Sequence, residues 1–366
     1  MKWKSRPAEE RRKHIGSFVA VTPTMKRAID VLRRCYRAYH DEPQASCVFV
    51  VGQTGVGKTT AANDFLEEVR EEYLGTLMDG HNLKLADVEE YDRSMSVTFE
   101  NPGQGFVRPL VKIQVPKKTT YKRLFADTLA AIGIKVPVSA TLGDMMSIAR
   151  QQIKEQGIRM IIFDDCQHIA ESNLNRDPYE AADVFKALMK EARVQIACVG
   201  LPHATDFLLE NAQLETLKSE ELHMMPFSLD LDDQSEYCSF LKAFSDDLPF
   251  DRKPLLEKPA MALRLHLASD GYVAAIAKYV SLAAKEAIDR NQDTITMDLL
   301  QEVYRRKHNV PENENPFRKA EIDPEGFRKI KADRRRERVA EARKGRATRR
   351  AKERELSLRK KGAAKR

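Results

Sequence analysis

The chain has 366 residues, room for two domains, and its 42% hydrophobic and 32% charged residues allow a packed core and exclude disorder throughout. Apolar runs such as Cys47 to Val51 and Met160 to Phe163 are too short to span a bilayer, and the charged start MKWKSRPAEERRKH has no apolar signal core, so a cytoplasmic protein with no membrane association is expected. The net charge of +7 is uneven: Arg318 to Arg366 holds 21 Lys+Arg against 8 Asp+Glu, a net of +13, which leaves 41 against 47, a net of −6, for the rest. The basic character belongs to the tail, so any claim that the body binds an anionic polymer has to come from local residues.

In chain order, residues 1–23 read as a basic lead-in that ends in the helix-start signal Thr22-Pro23-Thr24. A helix is predicted over Met25–Tyr39, with Ile29, Leu32 and Tyr36 on one face. The continuous apolar run Ser46–Val51 has the form of a parallel strand buried on both faces, and a helix over Lys58–Tyr73 follows. Residues 74–108 lack a period and read as an insertion. A strand at Leu110–Val115, helices at Tyr121–Ile132 and Leu142–Gln156, a strand at Met160–Phe163, a helix at Tyr179–Ala192 and strands at Val194–Val199 and Leu222–Leu229 complete the body. This alternation predicts an α/β three-layer sandwich with a parallel sheet over residues 24–230. Only helices follow, near 234–245, 259–269, 271–290 and 296–307, and they form a small unit over 231–310. Residues 311–366 read as a Pro- and Asn-rich linker and a low-complexity basic tail. The five cysteines, Cys35, Cys47, Cys166, Cys198 and Cys238, are scattered and include no C-x-x-C pair, which argues against a disulfide framework or a zinc site.

The run Gly52, Gln53, Thr54, Gly55, Val56, Gly57, Lys58 and Thr59 matches G-x-x-x-x-G-K-[ST] between a predicted strand and a predicted helix, and Thr60 extends it. Glycines there let backbone N–H groups curl around phosphate oxygens, and the helix start adds its positive dipole end. The pattern assigns Lys58 to the β- and γ-phosphates of ATP and the Thr59 hydroxyl to Mg²⁺. A chance Gly-rich turn is the bland alternative. Downstream, Met160–Phe163 ends in Asp164-Asp165. In a P-loop fold, Asp164 is expected on the strand beside the first one, holding Mg²⁺ through water, with Asp165 orienting and deprotonating the attacking water. A pair of helix-capping carboxylates is the competing reading.

Taken together, these motifs resemble the AAA+ ATPases of the TniB/TnsC type, regulators of certain DNA transposons. The resemblance spans roughly residues 10–317 and includes Val111–Phe125, Phe163-Asp-Asp-Cys-Gln-His168-Ile, Val199-Gly-Leu-Pro202, Asn211-Ala-Gln-Leu214, Met225-Pro-Phe227 and Asn315-Pro-Phe317. It implies an AAA+ core, a helical lid, ring or filament oligomers on duplex DNA, and partnership with a transposase and a TniQ-type target selector. There are departures. Asp165 stands where a glutamate is usual, Leu201 where a polar sensor is usual, no arginine finger follows Gln213, where Lys218 is the nearest cation, and Gly271-Tyr-Val-Ala-Ala has no sensor arginine. Slow hydrolysis with intact nucleotide binding is expected.

The resemblance also puts Lys117, Lys118, Thr119, Thr120, Lys122 and Arg123 at the DNA backbone, a set suited to phosphates and not to base edges. The plainer reading is a solvated helix start capped by Thr119. The basic tail either lies on DNA, recruits the transposase, or is a solvated disordered arm that raises general affinity for nucleic acid. Gln167 either contacts the γ-phosphate or satisfies a backbone group, and His168, His203 and His223 have no metal-like spacing. A replication initiator or helicase loader, and a nucleotide-gated interaction switch, are the competing functions.

Overall fold

The computed structural model describes residues 3–77, 84–86, 95–101, 103, 105–117, 120–171, 188–205, 216–318 and 321–363. The chain divides into two compact units, Val21–Pro226 and a second made of Met1–Ala20 with Phe227–Arg366.

The first unit is built on seven strands: β1 (Cys47–Gly52), β2 (Lys84–Leu85), β3 (Ser96–Asn101), β4 (Gly105–Gln114), β5 (Met160–Asp164), β6 (Gln195–Gly200) and β7 (Lys218–Met224). They form one sheet in the order β2-β3-β4-β5-β6-β1-β7. From β4 to β7 all neighbours are parallel, whereas β2, β3 and β4 pair antiparallel. The strands β1, β5 and β6 are continuous, fully buried and mainly apolar runs because helices cover both faces. On one side lie α2 (Pro23–Asp41) and α3 (Lys58–Leu77), which bury Leu32, Tyr36, Phe65 and Leu66. On the other, α4 (Tyr121–Ala131) and α5 (Leu142–Glu155) share a core with Phe49, Val51, Ile113 and Phe163. Alternation along each strand sends successive side chains to opposite layers, so this is the expected α/β three-layer sandwich. Thr22 caps α2 by accepting from Met25 N at 3.1 Å, as its start signal indicates.

Two expectations for this unit are corrected. The stretch 74–108 supplies β2, β3 and the first half of β4, so part of it extends the sheet. Its period was hidden because β4 begins in exposed residues, Gly105 and Phe106, and β3 carries polar Ser96 and Thr98 inside. In addition, β5 does not pair with β1, because β6 lies between them.

The second unit contains α1 (Ala8–Gly16), α7 (Glu236–Asp247), α8 (Pro259–Ser269), α9 (Val273–Asp289), α10 (Met297–His308) and α11 (Pro324–Ala363). The helix α6 (Gln167–Ala170) belongs to the first unit. Ile15 and Phe18 pack into the helical core, where Phe18 stacks on Phe244 at 4.1 Å, and buried Arg11 donates twice to Pro249 O. The lead-in is thus part of this unit, by contacts more than 200 residues away in sequence. The supposed linker is packed as well: Asn315 Nδ2 donates to Gln301 O at 2.8 Å and Phe317 is fully buried. Nor is the tail an irregular arm. It is helical through Ala363, anchored by buried Ile322 and Phe327 against Leu263 and Leu267. Lys331 Nζ donates to the α8 carbonyls of Leu267 and Ala268 at 2.8 and 3.1 Å, where the negative end of that helix dipole favours a cation.

Candidate functional site

Register brings the site residues to one edge of the sheet. Gln114 lies opposite Asp164, Asp164 opposite Val199, Val51 opposite Gly200 and Gly52 opposite Met224. The carboxyl ends of β4, β5, β6, β1 and β7 are therefore aligned, the place where open α/β sheets take ligands.

From β1 the chain turns through Gly52–Gly57 into α3. Gly55 and Gly57 have φ of 91° and 102°, a left-handed region that side chains disfavour. Gly52 is required for a different reason, since a Cβ there would collide with Met224 O on β7. Lys58 Nζ donates to Gly52 O at 2.8 Å and to Gln53 O at 3.0 Å, so the ammonium is folded over the loop it would serve. Burial lowers its pKa, while Asp164 and Asp165 oppose that shift.

Asp164 is 3% exposed. Burial raises its pKa, and a hydrogen bond with the Thr59 side chain and the nearby Lys112 ammonium act in the opposite direction. Sequence reading missed Lys112, a buried lysine on β4 bonded to Asn63 of α3. Its only signal was a cation inside an apolar strand. Asp165 turns at once into a left-handed conformation, φ 57°, which costs a non-glycine residue about 1–2 kcal/mol. Its backbone N–H donates to Asp164 Oδ1 at 3.0 Å. Gln114 Nε2 donates to one carboxylate oxygen at 3.3 Å, and Gln167 Nε2 donates to the other at 3.1 Å.

Gln167 thus satisfies both halves of its amide inside the protein, because its Oε1 accepts from Leu201 N at 3.1 Å. The residue is 5% exposed, and Gly200 leaves the room: a Cβ there would come within 2.6 Å of Gln167 Oε1 and 2.8 Å of Cys166 Sγ. The ends of β5 and β6 are tied a second time on the surface, where Glu171 bridges His168 at 3.0 Å and His203 at 2.7 Å. Among the described residues, no group of three or more His, Cys, Asp or Glu could hold a metal. His223 pairs with Glu221 at 2.8 Å, as does Lys218.

Of the expected DNA-facing residues, Lys118 and Thr119 lie outside the described residues. Lys117 is exposed. The cap of α4 is Thr120 and not Thr119, accepting from Arg123 N at 3.1 Å. Lys122 Nζ donates to Val138 O at 3.3 Å, and Arg123 pairs with Asp127 at 2.8 Å, so each has a partner within the chain. Residues 211–214 and most of the predicted helix at 179–192 also lie outside the described residues.

A mostly parallel sheet in this order, a P-loop at the end of β1 next to the last strand β7, and paired aspartates at the end of β5 with β6 between them define a P-loop fold of the AAA+ ATPase class. Residues 79–223 match the family model described as TniB, bacterial TniB protein, and over that segment the chain is TniB-like. The match contains Asp164 and Asp165 but not the P-loop. No curated protein matches the sequence. Among solved structures, the chain is similar to the Aeropyrum pernix ORC2 protein in ADPNP–ADP complexes, at 14% identity, TM-score 0.55, 82% of this chain and 72% of that one. It is also similar to the Aeropyrum pernix ORC1 protein in complex with DNA (14%, 0.51, 83% and 70%) and to Drosophila ORC bound to DNA (11%, 0.52, 88% and 71%). Identities this low speak for the fold. No described helix is long and apolar enough to cross a membrane.

Proposed function

We propose that the chain is an ATP- and Mg²⁺-dependent AAA+ regulator of DNA transposition. It binds duplex DNA without reading its sequence, oligomerises on it as a ring or helical filament, and links a TniQ-type target selector to the transposase, with slow hydrolysis dismantling the assembly. The observation that carries this reading is the TniB match, which takes in the paired aspartates and the α4 start. The DNA-bound ORC structures support DNA as a partner compatible with the fold. The same likeness favours the replication-initiator reading only at the level of fold.

In this reading, the backbone from Gly52 to Thr60 cradles the triphosphate of ATP, and Lys58 exchanges its two loop carbonyls for phosphate oxygens. The Thr59 hydroxyl and the buried Asp164 carboxylate are hard oxygen donors of the kind that would hold Mg²⁺. Bound there, the ion neutralises charge on the phosphates. Asp165 accepts the proton of the attacking water. It is one methylene shorter than glutamate and is held by Gln114 and Gln167, so the proton-accepting oxygen sits back from the phosphates and turnover is slow. Lys117 to Arg123 and the basic helix α11 contribute backbone contacts whose strength falls with salt.

Negative-stain microscopy of the full chain with duplex DNA tests this, comparing ATP, a non-hydrolysable analogue, ADP and no nucleotide. Rings or filaments requiring both DNA and a triphosphate are expected. Monomers under every condition, or assembly that ignores DNA, would overturn the reading.

A further inference from the structure

Within the helical unit, α10 and α11 enclose an open groove of about 1040 Å³. A water occupies about 30 Å³ in the liquid, so the groove is sized for a segment of chain and not for one inorganic ion. Its apolar lining is Tyr304, Val310, Ala332, Val339 and Ala340, of which Val339 is 46% exposed. Around that lining stand seven arginine or lysine side chains against one carboxylate, Asp270. Asp270 is already paired with Lys331 at 2.8 Å, and Arg334 with Glu314. Arg328, Arg335 and Arg343 pair with no carboxylate among the described residues.

We propose that this groove is a docking site for an acidic, amphipathic peptide segment of a partner protein, its apolar side chains on the exposed Val339, Ala332 and Ala340 and its carboxylates on the surrounding arginines. Two observations select this occupant. The charge imbalance calls for an anion, and arginine forks suit carboxylates in bidentate geometry. The apolar, concave lining calls for side chains that exclude water, which a phosphodiester backbone does not offer; nucleic acid would be served as well by arginines on a convex face. The electrostatics at the back of the groove agree. His308, whose Nε2 lies 2.7 Å from Tyr279 OH, is pushed down to about 4 by burial and then by Lys307, Lys331, Arg338 and Arg334. The inference does not depend on the nucleotide reading.

The test is fluorescence anisotropy with the full chain and three labelled probes: a synthetic helical peptide with leucines at every third and fourth position and glutamates between them, polyglutamate of equal charge, and a duplex oligonucleotide. The leucine–glutamate peptide should bind at least tenfold more tightly than polyglutamate. Val339→Glu changes an exposed residue and should leave the helical content and thermal midpoint near wild type, yet weaken the peptide at least tenfold and the duplex, whose contacts with α11 are dispersed along the helix, by less than threefold. Arg335→Glu with Arg343→Glu should also weaken the peptide. Equal binding of peptide and polyglutamate, or a peptide affinity indifferent to Val339→Glu, would overturn the proposal and leave general attraction for polyanions. A Val339→Glu effect confined to the duplex would overturn it in favour of nucleic acid.

Discussion

Replacing Gln167 by glutamate changes one atom and reverses one interaction. The Oε1 position can still accept from Leu201 N, but the atom that donates to Asp165 Oδ1 at 3.1 Å becomes a second carboxylate oxygen. Two effects add. A hydrogen bond to a charged group, worth about 1.5–3 kcal/mol, is lost. In its place stand two like charges whose repulsion at that distance is about 5 kcal/mol at an effective dielectric constant of 20. The pair escapes by sharing a proton, as close carboxylates do, or by swinging apart. Either way Asp165 is no longer free and fixed for its proposed role as proton acceptor, and a displacement near 1 Å costs on the order of a hundredfold in rate. Gln167→Glu is therefore expected to lower kcat for ATP hydrolysis by about ten- to a hundredfold at neutral pH, with affinity for a fluorescent ATP analogue within about twofold. Phosphate-release assays and equilibrium titration read the two quantities. Wild-type kcat in Gln167→Glu, or an equal fall in kcat and nucleotide affinity, would refute the idea that Gln167 acts by holding Asp165.

Three further outcomes follow from the geometry. Gly52→Ala should lose nucleotide binding and about 1–3 kcal/mol of stability, as overpacking does, because its Cβ meets the backbone of Met224; chemical denaturation measures the second effect. The helical unit should weaken in acid. Unfolded, His308 takes a proton near its ordinary value of 6.5, but folded only at about 4, so unfolding takes up a proton between these values and stability falls as pH drops through that window. Solvent screening of this half-buried group limits the loss to about 1–2 kcal/mol, and His308→Gln should abolish that part of the pH dependence seen in denaturant titrations. Cutting the chain after Arg343 removes eleven Lys or Arg against two Glu and keeps the Phe327 and Lys331 anchors. It should flatten the salt dependence of DNA binding while sparing ATP binding, whereas a cut after Phe317 would also strip packed residues; an unchanged slope in filter binding would exclude the distal tail.

How much was legible in the sequence follows from where each signal resides. The strands β1, β5 and β6 announce themselves because burial on both faces demands unbroken apolar runs, and the P-loop because its glycines answer local backbone needs. The strand β3 was missed because it buries polar Ser96 and Thr98, which bond to each other at 2.7 Å and break the apolar run. That Gln167 satisfies a backbone group was one of the two readings the sequence left open, and Leu201 N bears it out, whereas the grip of Gln114 on Asp165 was out of reach because it depends on which strand ends become neighbours. The same holds for the first 20 residues. Only the fold shows that Ile15 and Arg11 find their partners past residue 230. The tail misled for the opposite reason, because a helix with few apolar residues is recognisable only through the few that anchor it.

The margin of the sheet at β7 has a consequence for assembly. Among the described residues this strand pairs on one side only, with β1, so its other side offers a row of backbone groups to any incoming strand. The residues there discourage such a visitor: Lys218, Glu220, Glu221 and His223 occupy four of seven places, and Arg34 reaches over from α2 to pair with Glu220 at 2.7 Å. Charge along a sheet edge is how proteins keep copies from zipping together strand to strand. In the proposed assembly, copies of this chain would therefore meet through helices and loops, whose contacts nucleotide could make and release, and not through an open-ended ladder that no hydrolysis would undo.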